Sequence, residues 1–165
     1  MLASFVTGYE LSVFLHITVV VVGFGATFAE AITFPVAMRL DPRHLPYVHR
    51  LQRSINQWLA TPAQVLVLAT GFYQVADGDW DLGDVWIGTS ILIVVVLAGL
   101  VHGYFVPSDR RLEAMISGEV EAAGGGEFTP SEEYMRQART QGIVGTVTGL
   151  LLVLAIFLMV TKPGL

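Results

Sequence analysis

At 165 residues, with 53% hydrophobic and only 14% charged side chains and a mean hydropathy of +0.63, the chain falls in the membrane class and fits one compact bundle. It contains no cysteine, which excludes disulfides and thiolate metal sites. The net charge of -5 decides less than where the charges fall, and nothing in it points to nucleic acid.

The chain opens with Thr7-Gly8-Tyr9-Glu10, which has the spacing of a capping box, Thr7 as N-cap and Glu10 at N3. No Lys or Arg precedes Arg39, so the basic region of a signal peptide is missing, and cleavage at Ala29-Glu30-Ala31 is not expected. A bilayer core about 30 Å thick takes about 20 helical residues to cross. Residues 9–38 form the first stretch that qualifies, with His16 and Glu30 as its ionisable groups at mid-span. Fourteen steps of about 100° bring both to nearly the same face. Ionisable groups inside a membrane usually face the bundle interior and a partner. Gly23 lies midway on the same stripe and admits a neighbouring helix or a planar ring.

Residues 55–76 form the second span, bent near its start by Pro62. Residues 85–106 form the third. The 107–140 loop is expected to hold a short helix over 108–122, a Gly124-Gly125-Gly126 break, and a second helix capped at Thr129 with Pro130 at N1. Its mixed charges read as a solvated face. Residues 142–160 form the fourth span. Its small face (Gly142, Gly145, Thr146 and Gly149) suits close helix packing, or room for a flat cofactor. Because lipid offers no hydrogen bonds, all four spans are helices. The predicted fold is an all-α integral membrane four-helix bundle, one domain over 1–165.

Arg39, Arg43, Arg50 and Arg53 lie between spans one and two, and Arg110, Arg111, Arg136 and Arg139 between spans three and four. Cations mark the cytoplasmic side, so the N- and C-termini are both expected outside. The cation-poor connection from Asp77 to Asp84, with Trp80 and Trp86 as an interfacial belt, fits the outer side.

Depth then restricts which residues can meet. At 1.5 Å per residue, His16 lies about 8 Å below the outer boundary and Glu30 about 20 Å further in. Ser90 falls near the depth of His16, and His102 near that of Glu30. His16 and His102 differ in depth by about 18 Å, which argues against one bis-histidine iron site and for two separate sites. The outer one groups His16 with Tyr73 or Gln74 and Thr89 or Ser90. A neutral imidazole there is either a haem or metal ligand or a hydrogen-bonded core histidine. The inner site groups Glu30 with His102 and with Asn56 or Gln57, as a polar or proton-sharing site; the alternative is Glu30 paired to a loop arginine.

Several short motifs resemble known families. His16 with Gly23-Phe24-Gly25 resembles the first helix of HemJ-type protoporphyrinogen oxidases and of copper-resistance D-type membrane domains. Arg50-Leu51 through Thr61-Pro62, then Gly71, resembles the HemJ-type second helix. Trp86, and His102 ahead of a basic cluster, resemble the third, and Met159-Val160-Thr161-Lys162-Pro163 resembles the ending. Within this group the chain is most similar to an uncharacterised bacterial four-helix family of predicted integral membrane proteins. The resemblance covers all four spans and implies that His16 is the axial ligand of a b-type haem. The functionally important HemJ-type lysine maps to Ser90, the histidine before it to Gly88, and the asparagine-glutamate pair before the fourth helix has no counterpart near Thr140-Gln141. The implied role is therefore haem binding rather than protoporphyrinogen oxidation.

The resulting expectation is a multi-pass protein of the bacterial inner membrane, not itself an enzyme, holding a haem or similar redox group at His16 with Gly23 and Ser90 beside it. It would serve electron transfer with a membrane redox partner. Glu30 and His102 would handle protons, and loop arginines would meet lipid headgroups or haem propionates. Two alternatives stand beside it. One is a cofactor-free structural or accessory protein. The other is a small-ion or copper permeation protein, for which the lack of cysteine and the five methionines offer few soft ligands. No metal ligand set and no oligomeric state follow from the sequence; a homo-oligomer stays open.

Overall fold

The computed structural model describes residues 6–78 and 80–164. Four helices are long and apolar enough to cross a membrane: α1 (Gly8–Leu40), α2 (Pro42–Asp77), α3 (Val85–Ala123) and α4 (Glu132–Thr161). Among the described residues there is no strand, so the all-α expectation holds. The helices have 33, 36, 39 and 30 residues. At 1.5 Å per residue, each exceeds the roughly 30 Å of a bilayer core. The surplus projects at the arginine-bearing end, where α1 leads into α2 and α3 leads towards α4.

The capping box at the start of α1 is present. Thr7 Oγ1 accepts from the Glu10 N–H at 3.2 Å, and Glu10 Oε2 accepts from the Thr7 N–H at 2.8 Å. The start of α4 differs from the expectation. Its cap is Ser131 rather than Thr129, with Ser131 Oγ accepting from the Tyr134 N–H at 3.1 Å. Glu119 accepts from the Ser131 backbone N–H and hydroxyl, which holds the chain out of the helix up to that point. The segment over 108–122 is not a separate helix either: α3 runs unbroken through Pro107 to Ala123.

What lets it do so is a π turn. Val20–Phe24, Asn56–Ala60 and Val101–Phe105 each widen to π geometry within α1, α2 and α3. In α2 and α3 a proline sits just beyond the wide turn, Pro62 and Pro107. A proline inside a helix lacks an N–H and crowds the carbonyl one turn back. The residue before each proline reaches back five positions instead, Thr61 N–H to Asn56 O and Val106 N–H to Val101 O. The extra residue per turn absorbs the clash without ending the helix.

Two apolar cores hold the bundle together. In its middle, Phe24 of α1, Val67 of α2, Ile93, Val94 and Leu97 of α3, and Leu152 and Ala155 of α4 pack together. Lipid tails are as apolar as these side chains, so dispersion and close fit stabilise this cluster more than water exclusion does. Gly23 sits here. A Cβ built on it would lie 2.2 Å from Ala63 Cβ, so only glycine lets α1 and α2 come this close. At the arginine-bearing end, Ala37, Leu45, Val48, Leu112, Ile116 and Tyr134 form the second core. Outward-facing side chains along the spans are apolar and exposed, among them Phe14, Val21, Ile32 and Leu150, as a lipid-facing surface requires.

At the opposite end, Lys162 ends α4 in the left-handed conformation, φ 44°. Its Nζ lies 4.1 Å from the centre of the Trp80 ring, and Trp80 meets Trp86 edge to face at 5.4 Å. This cation–aromatic contact pins the α4 terminus to the start of α3.

Candidate functional site

α1 packs along α2, α2 along α3, and α3 along α4, but α1 and α4 stay apart over much of their length. Between them lies a cleft of about 1190 Å³, walled by Phe24, Phe28 and Phe34 of α1 and by Gly142, Gly145 and Gly149 of α4. The small residues of α4 therefore face open space rather than a packed helix. A Cβ on Gly142 or Gly145 would meet nothing within 4 Å, and one on Gly149 would touch Phe28 at 3.7 Å. Phe28, Ile143, Leu150 and Val153 line the cleft and are exposed on the apolar surface of the bundle, so its mouth opens sideways.

The floor is polar, and it is built by α2 and α3. Gln52, Asn56 and Gln64 of α2 line it together with His49 and Asp109. His49 and Asp109 belong to a network that ties three helices. Asp109 Oδ1 accepts from Gln141 Nε2 at 2.6 Å and from His49 Nδ1–H at 3.3 Å. With that ring proton on Nδ1, His49 Nε2 accepts from the Tyr134 hydroxyl at 2.7 Å. Ser108 Oγ donates to Gln141 Oε1 at 2.7 Å. His49 is 2% exposed, while Asp109 and Tyr134 are 0% exposed. Burial, with the nearby Glu119 and Asp109 carboxylates, pushes the Tyr134 phenol well above its ordinary range, so it acts as a hydroxyl donor.

Two carboxylate oxygens in this cleft lack a partner among the described residues. They are Glu30 Oε1 and Asp109 Oδ2, and both are buried. Gln52 spends its Nε2–H on Thr33 Oγ1 at 3.2 Å and approaches the Glu30 main-chain oxygen at 3.5 Å. It does not serve the Glu30 carboxylate. A buried polar atom without a hydrogen bond is costly and needs an explanation.

The residues singled out from the sequence fall in several places. His16 is half-buried against α2, its Nδ1 2.8 Å from Thr70 Oγ1. Thr70 gives its own proton to the Leu66 or Val67 carbonyl, at 2.6 and 3.2 Å, which makes the imidazole Nδ1–H the donor to Thr70. Gly71 borders the ring, 3.5 Å from His16 Cε1 if a Cβ is added. Gln74 bonds instead to Ser12, at 3.3 Å. Ser90 is fully buried and donates to the Trp86 carbonyl of its own helix at 2.7 Å. The space beside Gly23 is filled by Ala63. Glu30 lines the cleft, with Asn56 on its floor, and among the described residues its buried Oε1 has no hydrogen-bond partner, a loop arginine included. His102 is not brought to it. That ring is exposed and meets Thr61 Oγ1 at 3.2 Å, and Gln57 is exposed as well.

The sequence reading missed His49, Asp109 and Tyr134. A signal was present in the pattern of α2 and α3. His49 shares a helical stripe with Leu45 and Val48, which are both buried, inside a run otherwise rich in arginine. Asp109 lies in register with Val106, Leu112 and Ile116. A polar residue on the apolar face of an amphipathic helix is a candidate for a buried network.

A family model described as predicted integral membrane protein, DUF2269, matches residues 10–163. No curated protein and no solved structure matches the chain.

Proposed function

The chain belongs to the DUF2269 family of predicted integral membrane proteins, and on that footing we propose that it binds an amphipathic molecule taken from the surrounding bilayer. The observation that carries this reading is the cleft between α1 and α4. Its volume of about 1190 Å³ exceeds the roughly 300–1,000 Å³ of ordinary small-molecule pockets. Its walls are apolar and its floor holds a small number of converging polar groups, the usual make-up of a ligand site. The sideways mouth offers a path from lipid, and the small α4 face provides the width.

The arginine distribution supports a bacterial plasma-membrane protein with both termini outside. Eight of its nine Lys and Arg residues lie in the two α1–α2 and α3–α4 connections and their flanks, the positive-inside pattern. On this placement the polar floor of the cleft lies towards the cytoplasmic side.

The test is photolabelling. A diazirine-bearing long-chain alkanol, added to the protein in nanodiscs, is expected to label peptides spanning Phe24–Pro35 and Gly142–Val153 in a saturable way. Labelling that is non-saturable, or spread evenly over all lipid-facing surfaces, contradicts the reading.

A second reading concerns His16. Its Nδ1–H is held by Thr70, which orients the ring, as an outer hydrogen bond does in many haem and metal ligands. His16 would be the axial ligand of a b-type haem, and electron transfer to a membrane redox partner the associated role. A reduced-minus-oxidised spectrum of protein purified after growth with ample haem tests it. A Soret and α-band lost in His16→Ala supports it; a featureless spectrum in the wild type rejects it.

A further inference from the structure

We propose that the polar group held on the cleft floor is a cation, so that the ligand is an amphipathic ammonium: a protonated amine carrying an apolar body. This rests on the reading of the cleft as a binding site and adds the charge of its occupant.

The polar part of the cleft is acidic and under-satisfied. Glu30 from α1 and Asp109 from α3 both line the cleft, and each leaves one buried carboxylate oxygen without a partner among the described residues. Asp109 is wholly buried. The basic side chain beside it, His49, is already committed to Asp109 Oδ1 and to Tyr134. The remaining polar floor residues, Gln52, Asn56 and Gln64, are neutral amides. Arginines do reach the cleft, but Arg136 and Arg139 lie at its rim and are exposed, and Arg136 is paired with Glu133.

A buried carboxyl oxygen left without a donor is costly. An N–H donor bearing positive charge is the natural partner of such an oxygen, and bonds to it more strongly than a neutral donor does. A primary ammonium has three donors and no acceptor, which suits a cleft whose lining includes the Glu30 and Asp109 carboxyls.

The shape distinguishes an organic cation from a bare ion. Among the described residues, no three His, Asp or Glu side chains converge as a metal cage does. A water-sized occupant takes only about 30 Å³, far below the 1190 Å³ of the cleft. Most of the wall is aromatic and aliphatic, including Phe24, Phe28, Phe34 and Leu152, which suits an apolar body. Aromatic faces also favour a nearby cation. The rim arginines disfavour entry of a cation from the basic end, which leaves the sideways mouth as its route.

Competition against the photoreactive alkanol tests the charge. Dodecylammonium, dodecanol and dodecanoate are compared on wild-type protein in nanodiscs, each corrected for its partition into protein-free nanodiscs. The ammonium is expected to displace the label at about tenfold lower bilayer concentration than the alcohol, the size of one charge-assisted hydrogen-bond gain. Glu30→Gln is expected to bring the two together. Equal displacement by ammonium and alcohol in the wild type overturns the charge assignment and leaves the cleft reading standing. Strongest displacement by dodecanoate also overturns it, and assigns the polar contact to Arg136 and Arg139. Absence of saturable labelling by the alkanol removes the cleft reading itself. If Glu30→Gln does not fold, the wild-type ranking decides alone.

Discussion

The Tyr134 hydroxyl lies 2.7 Å from His49 Nε2, at a point where neither side chain is open to solvent, and it joins α4 to α2 beneath the cleft. Through His49 the bond continues to Asp109 of α3. These three helices are therefore fixed to one another at the arginine-bearing end. Tyr134→Phe keeps the packing and leaves His49 Nε2 unsatisfied. The expected cost is about 1–3 kcal/mol, read as a lower Tm in detergent. His49→Ala is expected to cost more, because it strips partners from both Asp109 and Tyr134. Unchanged melting of both variants would remove the network as a structural element.

Glu113 bridges Arg50 and Arg53 across α2 and α3, with Arg50 Nε at 2.9 Å from Oε1 and Arg53 bonded to Oε2. Partial burial works to raise the Glu113 carboxyl, but the hydrogen bonds and charges of the two arginines win and hold it below its ordinary value of 4.5. A lowered carboxyl pKa in the folded state contributes stability above the unfolded value, which is lost as pH falls through the folded one. Wild-type Tm is therefore expected to drop as pH is taken below about 4.5. Glu113→Gln is expected to start lower at pH 7 and to fall less in the same window. Parallel pH profiles of the two proteins would contradict the assignment.

Gly23 and Ala63 mark the closest approach of α1 to α2, 2.2 Å between the Ala63 methyl and a Cβ built on Gly23. Neither atom belongs to a flexible side chain, so the helices must part to admit a methyl. Gly23→Ala is expected to destabilise the bundle by about 1–3 kcal/mol, the range for overpacking. Adding Ala63→Gly is expected to recover much of that loss. A thermal melt of the single and double variants checks it, and a single variant as stable as wild type would refute the close contact.

The absence of cysteine makes orientation directly measurable. Leu82→Cys, at an exposed position between α2 and α3, is expected to react with an impermeant maleimide in intact spheroplasts. Gly125→Cys, between α3 and α4 with open space around it, is expected to react only after lysis. The reverse pattern would invert the topology.

Hydropathy made the four helices readable, because a span must be both long and apolar. It did not show that Pro62 and Pro107 are carried by π turns, since a proline in a helical pattern reads as a bend or stop. Depth arithmetic set His16 and Glu30 apart, and the two side chains do have different neighbours: one meets Thr70 on α2, the other lines the cleft. The same arithmetic paired Glu30 with His102, and there it lacked a coordinate. Depth along the normal leaves rotation about the helix axis free, and α3 turns His102 out to Thr61. The His49–Asp109–Tyr134 network joins residues 60 and 85 positions apart, and no local spacing encodes such pairings. Its trace in the sequence was each residue's place on an apolar stripe. The glycines of α4 were legible as a small face, yet whether that face meets a helix or a cleft depends on where α1 runs.

The central claim is that the space between α1 and α4 is a binding site, and filling it is the most direct test. Gly145 lines the cleft, and a side chain there meets nothing within 4 Å of its Cβ, so Gly145→Trp projects an indole into open space. In nanodiscs, the photoreactive alkanol is expected to label α1 and α4 peptides saturably in wild type. Gly145→Trp is expected to retain the wild-type Tm within a few degrees and to lose that saturable labelling. Undiminished saturable labelling in a folded Gly145→Trp protein would contradict the account.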